Sequence, residues 1–250
     1  MFNYFSQVSS ENGRDEDLDG RSDLLRLTPF ATNFGFFISY LESVGVFHSS
    51  DERIVNARGQ VIPLLTNSFL HWFETRDWAD RSLLELGSGS STFYFAKHFK
   101  HVTSFENNQQ WYERLKSGLP KNVEYRYAKS IRDGLSGQDL GDFDVIILDA
   151  GENRAKLARL IAESNFSGTV FLDNADWYRR SVEILSEAGY VEIPFFGIKP
   201  VQTWVSCTSV LTRKESLSSC FDKDWQRVPD LSRPNPSNSW DDESATDVTK

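Results

Sequence analysis

The chain has 250 residues, of which 39% are hydrophobic, 14% aromatic and 25% charged. That length suits one α/β domain with extensions, large enough to bury a substantial core. The formal charge of −9 is uneven: residues 1–24 carry −4 and residues 214–250 carry −3, so the body is nearly neutral, which argues against a phosphate-tracking nucleic-acid groove.

From the amino end, Met1 to Arg21 lacks a basic start followed by an apolar run, so it does not read as a secretory signal. The apolar stretch Phe30 to Phe47 is broken by Asn33 and Glu42 and makes a poor membrane span. A cytoplasmic protein with no membrane partner is expected. Residues 1–24 and 214–250 are polar, rich in turn formers, and read as flexible tails. Between them, 25–80 reads as a helical cover and 81–213 as the main domain. Thr28-Pro29 opens a helix running to about Val44, with Pro at the first helical position, and a second helix spans about Pro63 to Glu74. Cys207 and Cys220 lack metal-ligand spacing and read as reduced thiols.

From Ser82 onward, β-branched or aromatic runs alternate with helical stretches, the signature of a mainly parallel sheet. Strands are expected at Ser82–Leu86, Val102–Glu106, Val123–Tyr127, Phe143–Asp149, Gly168–Asp173, Tyr190–Phe195 and Thr203–Thr212. The link from Phe196 to Gln202 is too short for a crossover helix, so the last two strands should form an antiparallel hairpin.

The densest signal is Ser82-Leu83-Leu84-Glu85-Leu86-Gly87-Ser88-Gly89-Ser90-Ser91-Thr92. It reads as strand, glycine turn and helix, with a second strand ending in Glu106. Gly87 and Gly89 let the main chain turn sharply and lie close to a ligand, and the helix from about Ser90 to Lys100 points its free N–H groups at whatever sits over the turn. Glu106 lies about where an acid accepts hydrogen bonds from ribose hydroxyls in nucleoside-binding folds. A nicotinamide-dependent oxidoreductase would use the same turn and acid. Against it, the third position of the dinucleotide fingerprint is Thr92 rather than Gly or Ala.

Glu85-Leu86-Gly87-Ser88-Gly89 resembles the first motif of class I S-adenosylmethionine-dependent methyltransferases, and Glu106 falls where their ribose-binding acid is found. The strand pattern with its terminal hairpin likewise resembles their seven-stranded sheet, in which the final strand inserts antiparallel. The implied fold is a three-layer, doubly wound, Rossmann-like α/β methyltransferase fold. The resemblance implies S-adenosyl-L-methionine as cofactor, with Glu85, Gly87, Ser88, Gly89, Glu106, Asn107, Ser130 and Asp149 around it. Phe143 to Ala150 matches the fourth motif, which places Asp149 near the methionine end, where it would favour the sulfonium or orient or deprotonate the acceptor.

Asp149 on one strand end and Asp173-Asn174 on the next resemble the metal-binding acids and amide of catechol-type O-methyltransferases. That likeness implies a divalent metal such as Mg²⁺ held by Asp149, Asp173 and Asn174, with Asp149 and Asp173 serving the acceptor. Glu152 stands where those enzymes have a lysine, and Arg154 is the nearest base. The other reading is that Asp173 caps the next helix and Asn174 orders the loop. A closer likeness, over residues 50–213, is to a group of largely uncharacterised bacterial methyltransferases. It rests on Gly59 to Pro63, Gly87 to Thr92, Glu106-Asn107-Asn108 with Trp111-Tyr112, Leu119 to Val123 and Thr208-Ser209.

Trp111 and Tyr112 are candidates to flank adenine or simply to pack. Ser130 is a candidate adenine contact or a helix cap. His98 and His101 read as surface residues, while His48 and His71 are the only histidine candidates for a base. The expectation is therefore an S-adenosylmethionine-dependent methyltransferase acting on a small-molecule or glycan hydroxyl. A nicotinamide-dependent oxidoreductase and a non-catalytic binding protein on the same fold are the alternatives.

Overall fold

The computed structural model describes residues 34–47, 54–202 and 204–217. The tail expected over 1–24, nearly all of the one expected over 214–250, Cys220 and His48 lie outside the described residues. A helical stretch covers 34–43, within the first expected helix. A boundary between two units falls at Tyr40 and Leu41, and the fold that follows belongs to the second. Among the described residues no helix is long and apolar enough to cross a membrane.

Seven strands form one sheet: β1 (Ser82–Leu86), β2 (His101–Glu106), β3 (Val123–Tyr127), β4 (Val145–Leu148), β5 (Thr169–Asp173), β6 (Tyr190–Gly197) and β7 (Ser206–Arg213). Their order is β3-β2-β1-β4-β5-β7-β6. β1 pairs in parallel with β2 and β4, β2 with β3, and β4 with β5. β7 enters antiparallel between β5 and β6. Strand order reverses at β1/β4, and in open α/β sheets that switch point opens a crevice at the carboxyl ends of the strands.

The helices are α1 (Asn67–Glu74), α2 (Ser90–Phe95), α3 (Gln109–Leu115), α4 (Ile131–Gly134), α5 (Arg154–Glu163) and α6 (Arg179–Glu187). They lie on two faces because strand side chains alternate. Leu84, Leu86, Ile146, Leu148, Val170 and Leu172 pack with Ile131, Leu157, Ile161, Val182 and Leu185 in one apolar cluster. The intervening Leu83, Val145, Ile147 and Phe171 join Phe69, Phe73 and Phe95 in another. Three layers result. The central strands are apolar on both faces, as strands covered on both sides must be.

Differences from the expected boundaries have local causes. α1 starts at Asn67 rather than near Pro63, because the Thr66 hydroxyl donates to the Phe195 carbonyl at 3.0 Å and its N–H to Thr208 Oγ1 at 3.1 Å, tying the segment before the helix to the hairpin. α2 ends at Phe95, five residues short of Lys100, and tight turns carry the chain into β2. β4 is shorter than Phe143–Asp149 because a 3₁₀ turn, Leu140–Asp142, takes up its approach. β7 runs from Ser206, and Thr203, its expected first residue, lies outside the described residues.

Phe69 is fully buried, with ring centroids 5.0 Å from Phe171 and 6.2 Å from Phe195. It anchors α1 on the sheet. Phe69→Ala should destabilise the fold by about 3–5 kcal/mol, the usual cost of removing a buried phenyl ring, read as a lower urea midpoint at unchanged slope.

Candidate functional site

The glycine turn sits at the switch point. Gly87 has φ +98°, and a Cβ there would lie 2.6 Å from the Asp149 carbonyl oxygen and 2.9 Å from Ala150 Cα. Glycine thus lets the end of β1 press against the end of β4. Gly89 is extended, and a Cβ on it would meet nothing nearer than Ser91 Oγ at 3.9 Å, so the main chain at Gly89 is not crowded.

Beneath the turn lies Glu85, fully buried. It shares the face of Leu83, and on β2 the same alternation turns Ser104 toward it. Glu85 Oε2 accepts from Ser104 Oγ and Thr92 Oγ1, each at 2.6 Å. Thr92 Oγ1 in turn accepts from the Gly89 N–H at 3.1 Å. One carboxylate therefore ties β1, β2 and α2 to the turn. Glu85 lies under the turn, not on its open side. Complete burial raises its pKa to about 7, against the pull of the Ser104, Ser91 and Thr92 hydroxyls and with Glu106 adding to the rise.

Glu106 closes the turn from the β2 side. Its Oε2 accepts from the Ser88 hydroxyl at 2.5 Å and the Ser88 N–H at 3.1 Å, and its Oε1 from the Asn108 N–H at 2.8 Å. Tyr125 on β3 shares the Ser88 hydroxyl at 2.7 Å, and its own pKa is raised, mainly by burial. Trp111 donates from Nε1 to the Ser88 carbonyl at 2.9 Å, so its indole braces the turn. Tyr112 stacks on Tyr125 with centroids 4.6 Å apart. Asn107 reaches across to the Gly151 carbonyl at 3.4 Å.

Ser130 is the N-cap of α4, accepting from the Asp133 N–H at 3.2 Å, and its hydroxyl donates to Glu152 Oε1 at 3.3 Å. Glu152 Oε2 also accepts from the Ile131 N–H at 2.7 Å, so this acid ties the loop after β4 to the start of α4. His71 has its pKa lowered by burial, partly offset by Glu74. His98 is partly exposed, packed against Tyr94 and Phe73 with ring centroids at 4.7 and 5.3 Å, and His101 is exposed. Cys207 is buried, and burial raises its pKa.

At the ends of β4 and β5, Asp149 is paired with Arg154 and Asp173 with Lys199. Arg154, 7% exposed, donates to Asp149 Oδ1 at 2.8 Å, to the Asp173 carbonyl at 2.6 Å and to the Ala150 carbonyl at 3.1 Å. Its guanidinium lies over the Tyr178 ring, 4.1 Å from the centroid. Burial and the charge of Asp173 raise the Asp149 pKa to about 7, while Arg154 and Lys199 pull it down. The Asp149 side chain still keeps about a third of its surface, 32%, open to solvent.

Asp173 is buried with both oxygens engaged: Oδ2 accepts from Lys199 Nζ at 2.6 Å and Oδ1 from Thr208 Oγ1 at 2.9 Å. Asn174, at φ +51°, bonds to Ser206 Oγ at 3.1 Å. With its amide nitrogen turned to Asp173 Oδ2 (2.8 Å), its oxygen also accepts from Lys199 Nζ at 3.1 Å. The metal seat expected from Asp149, Asp173 and Asn174 is therefore not assembled. Lysine and arginine hold the oxygens a hard cation would need, so these residues do not fit Mg²⁺. Among the described residues no cluster of metal-ligating side chains appears.

No family model matches the sequence, and no curated protein matches it. Solved structures do. The chain is similar to a precorrin-6Y C5,15-methyltransferase from Geobacter metallireducens, with 17% identity, 67% of this chain and 94% of that chain covered, and a TM-score of 0.50. An O-methyltransferase from Bacillus cereus in complex with SAH matches at 17% identity over 66% of this chain and 84% of that one, TM-score 0.48. A tRNA (m1A58) methyltransferase from Aquifex aeolicus matches at 14% identity over 70% and 76%, TM-score 0.47. The likeness shows the fold: a three-layer, Rossmann-like α/β sandwich of the methyltransferase type, with its mainly parallel seven-stranded sheet and antiparallel terminal hairpin.

Glu85 carries a pH signature. Its folded pKa stands above its unfolded value, so its contribution is fully present below about pH 4.5 and is lost as the pH rises through about 7. Urea denaturation of wild type and Glu85→Gln should show wild type losing, relative to the variant, on the order of 2–4 kcal/mol between pH 4.5 and 8. A pH-independent difference would mean that Glu85 is ionised throughout.

Proposed function

We propose that this chain is an S-adenosylmethionine-dependent methyltransferase that methylates a hydroxyl group of a small molecule or sugar. The observation that carries the reading is the turn at the β1/β4 switch point, with an uncrowded main chain at Gly89, Glu106 on one side and Asp149 on the other. The donor set fits: main-chain N–H groups at the start of α2 suit a carboxylate, and Glu106 suits a pair of ribose hydroxyls. Gly87, Ser88 and Gly89 would cradle the amino-acid part. When bound, S-adenosylmethionine supplies an electrophilic methyl group on a sulfonium.

The chain's own work would be alignment and exclusion of water. Ser88 now lies on Glu106, so ribose hydroxyls would replace its hydroxyl there, while Trp111 keeps the turn in place through the Ser88 carbonyl. Asp149 would orient an acceptor hydroxyl and take its proton, a role supported by its raised pKa and partial exposure. Arg154 fixes the Asp149 carboxylate from behind. The fold and the turn support the methyl donor, and the acids at the strand ends support an oxygen acceptor.

Calorimetry with S-adenosylmethionine and with NAD tests the reading, the expected result being binding of the former. Binding of NAD alone would overturn it in favour of an oxidoreductase, and binding of neither would remove the nucleoside site. Glu106→Ala should weaken S-adenosylmethionine affinity tenfold or more, on the order of 1.5–3 kcal/mol for a lost charge-assisted hydrogen bond. Unchanged affinity in a folded variant would move the ribose site elsewhere. Methyl transfer to metabolite or glycan fractions would separate an enzyme from a binding protein on this fold.

A further inference from the structure

Lys199 is 1% exposed, on the loop between β6 and β7, and its ammonium meets the carboxylate at the end of β5. Burying a lysine is costly, and a well-packed apolar side chain at such a position is often as stabilising as the ion pair it replaces. Stability alone therefore gives no reason for this pair. Its location does: it lies where Asp173 and Asn174 leave β5, one strand away from Asp149.

The loop delivering the ammonium is pinned from both sides. The Asn67 N–H donates to the Ile198 carbonyl at 2.9 Å, just before Lys199. Thr66 bonds to Phe195 and Thr208, and the Thr208 hydroxyl donates to Asp173. Lys199 Nζ thus enters a pocket of oxygens from Asp173 and Asn174 that is already built.

We propose that Lys199 is the resident cation of this edge: its ammonium holds the Asp173–Asn174 pair in the way a divalent ion would, and makes the acceptor side of the site metal-independent. Lys199 is a positioning residue, acting through Asp173 and Asn174 on the strand end beside Asp149. This inference rests on the methyltransferase reading for its functional meaning, whereas its test uses metal and ammonium readouts that need neither cofactor nor acceptor. Failure of one is therefore distinguishable from failure of the other.

Mn²⁺ titration followed by electron paramagnetic resonance should show no Asp173-dependent binding by the wild-type chain up to about 1 mM, the weak end of protein affinities for divalent cations. Lys199→Ala and the volume-conserving Lys199→Met free the oxygens, and should bind Mn²⁺ at least tenfold more tightly than wild type. Adding Asp173→Asn should abolish that gain. Wild-type Mn²⁺ binding that Asp173→Asn removes would overturn the proposal, as would folded Lys199 variants that bind no better than wild type. Should neither variant fold, the ¹⁵Nζ resonance of Lys199 decides. A slowly exchanging ammonium signal is expected in wild type, and exchange as fast as that of exposed lysines would overturn the proposal.

Discussion

The buried Glu85 carboxylate is the constraint on which the ligand-facing end of this molecule depends. One oxygen gathers hydroxyls from β2 and α2, and through Thr92 it reaches the N–H of Gly89. The turn is therefore not a loose loop supported by glycine geometry alone. It hangs from a polar post in an otherwise apolar layer containing Leu83, Phe95 and Val102. Among the described residues the other Glu85 oxygen, Oε1, is buried with no hydrogen-bond partner, so the post carries a desolvation cost as well as the ties it makes. It also explains Thr92 in the helix where a dinucleotide fingerprint has glycine or alanine: the hydroxyl is a structural link.

Above and beside that post the strand ends carry acids of three kinds. Glu85 is wholly internal, Glu106 is nearly buried but faces the turn, and Asp149 keeps part of its surface in solvent. Their environments separate their tasks. Arg154 belongs to the same design: by binding the Ala150 and Asp173 carbonyls and Asp149 Oδ1 together, it sets the spacing between the ends of β4 and β5. Lys199 does the corresponding work between β5 and the hairpin.

Most of the fold was legible in the sequence because the central strands are unbroken apolar runs. Val145-Ile146-Ile147-Leu148 and Val170-Phe171-Leu172 have no other use than a sheet covered on both faces. The glycine turn was legible for the same reason, as a local pattern. What escaped was long-range. Lys199 lies 26 residues from Asp173 in a stretch that reads as a link, and nothing local in Ile198-Lys199-Pro200 marks its ammonium as internal. Ser104 and Tyr125 sit on neighbouring strands, and only strand register brings them to Glu85 and Ser88. The metal expectation failed because carboxylates at strand ends look the same in sequence whether a metal or a lysine neutralises them. Glu152 looked like a departure from a pattern, but its carboxylate ties down the start of α4.

The position of β7 has a consequence for how the chain acquires this shape. The last strand of the sheet in sequence is not at the sheet's edge, since it separates β6 from β5. On a ribosome, β1 to β5 emerge first and can pair among themselves, but β5 then has one flank of unpaired main-chain groups, and β6 has no partner at all. Only when Ser206–Arg213 is available does one segment satisfy both. Until then the apolar β5 edge is open to other nascent chains. The same insertion brings Thr208 to Asp173, so completing the sheet and completing the polar lining of the strand end are one event.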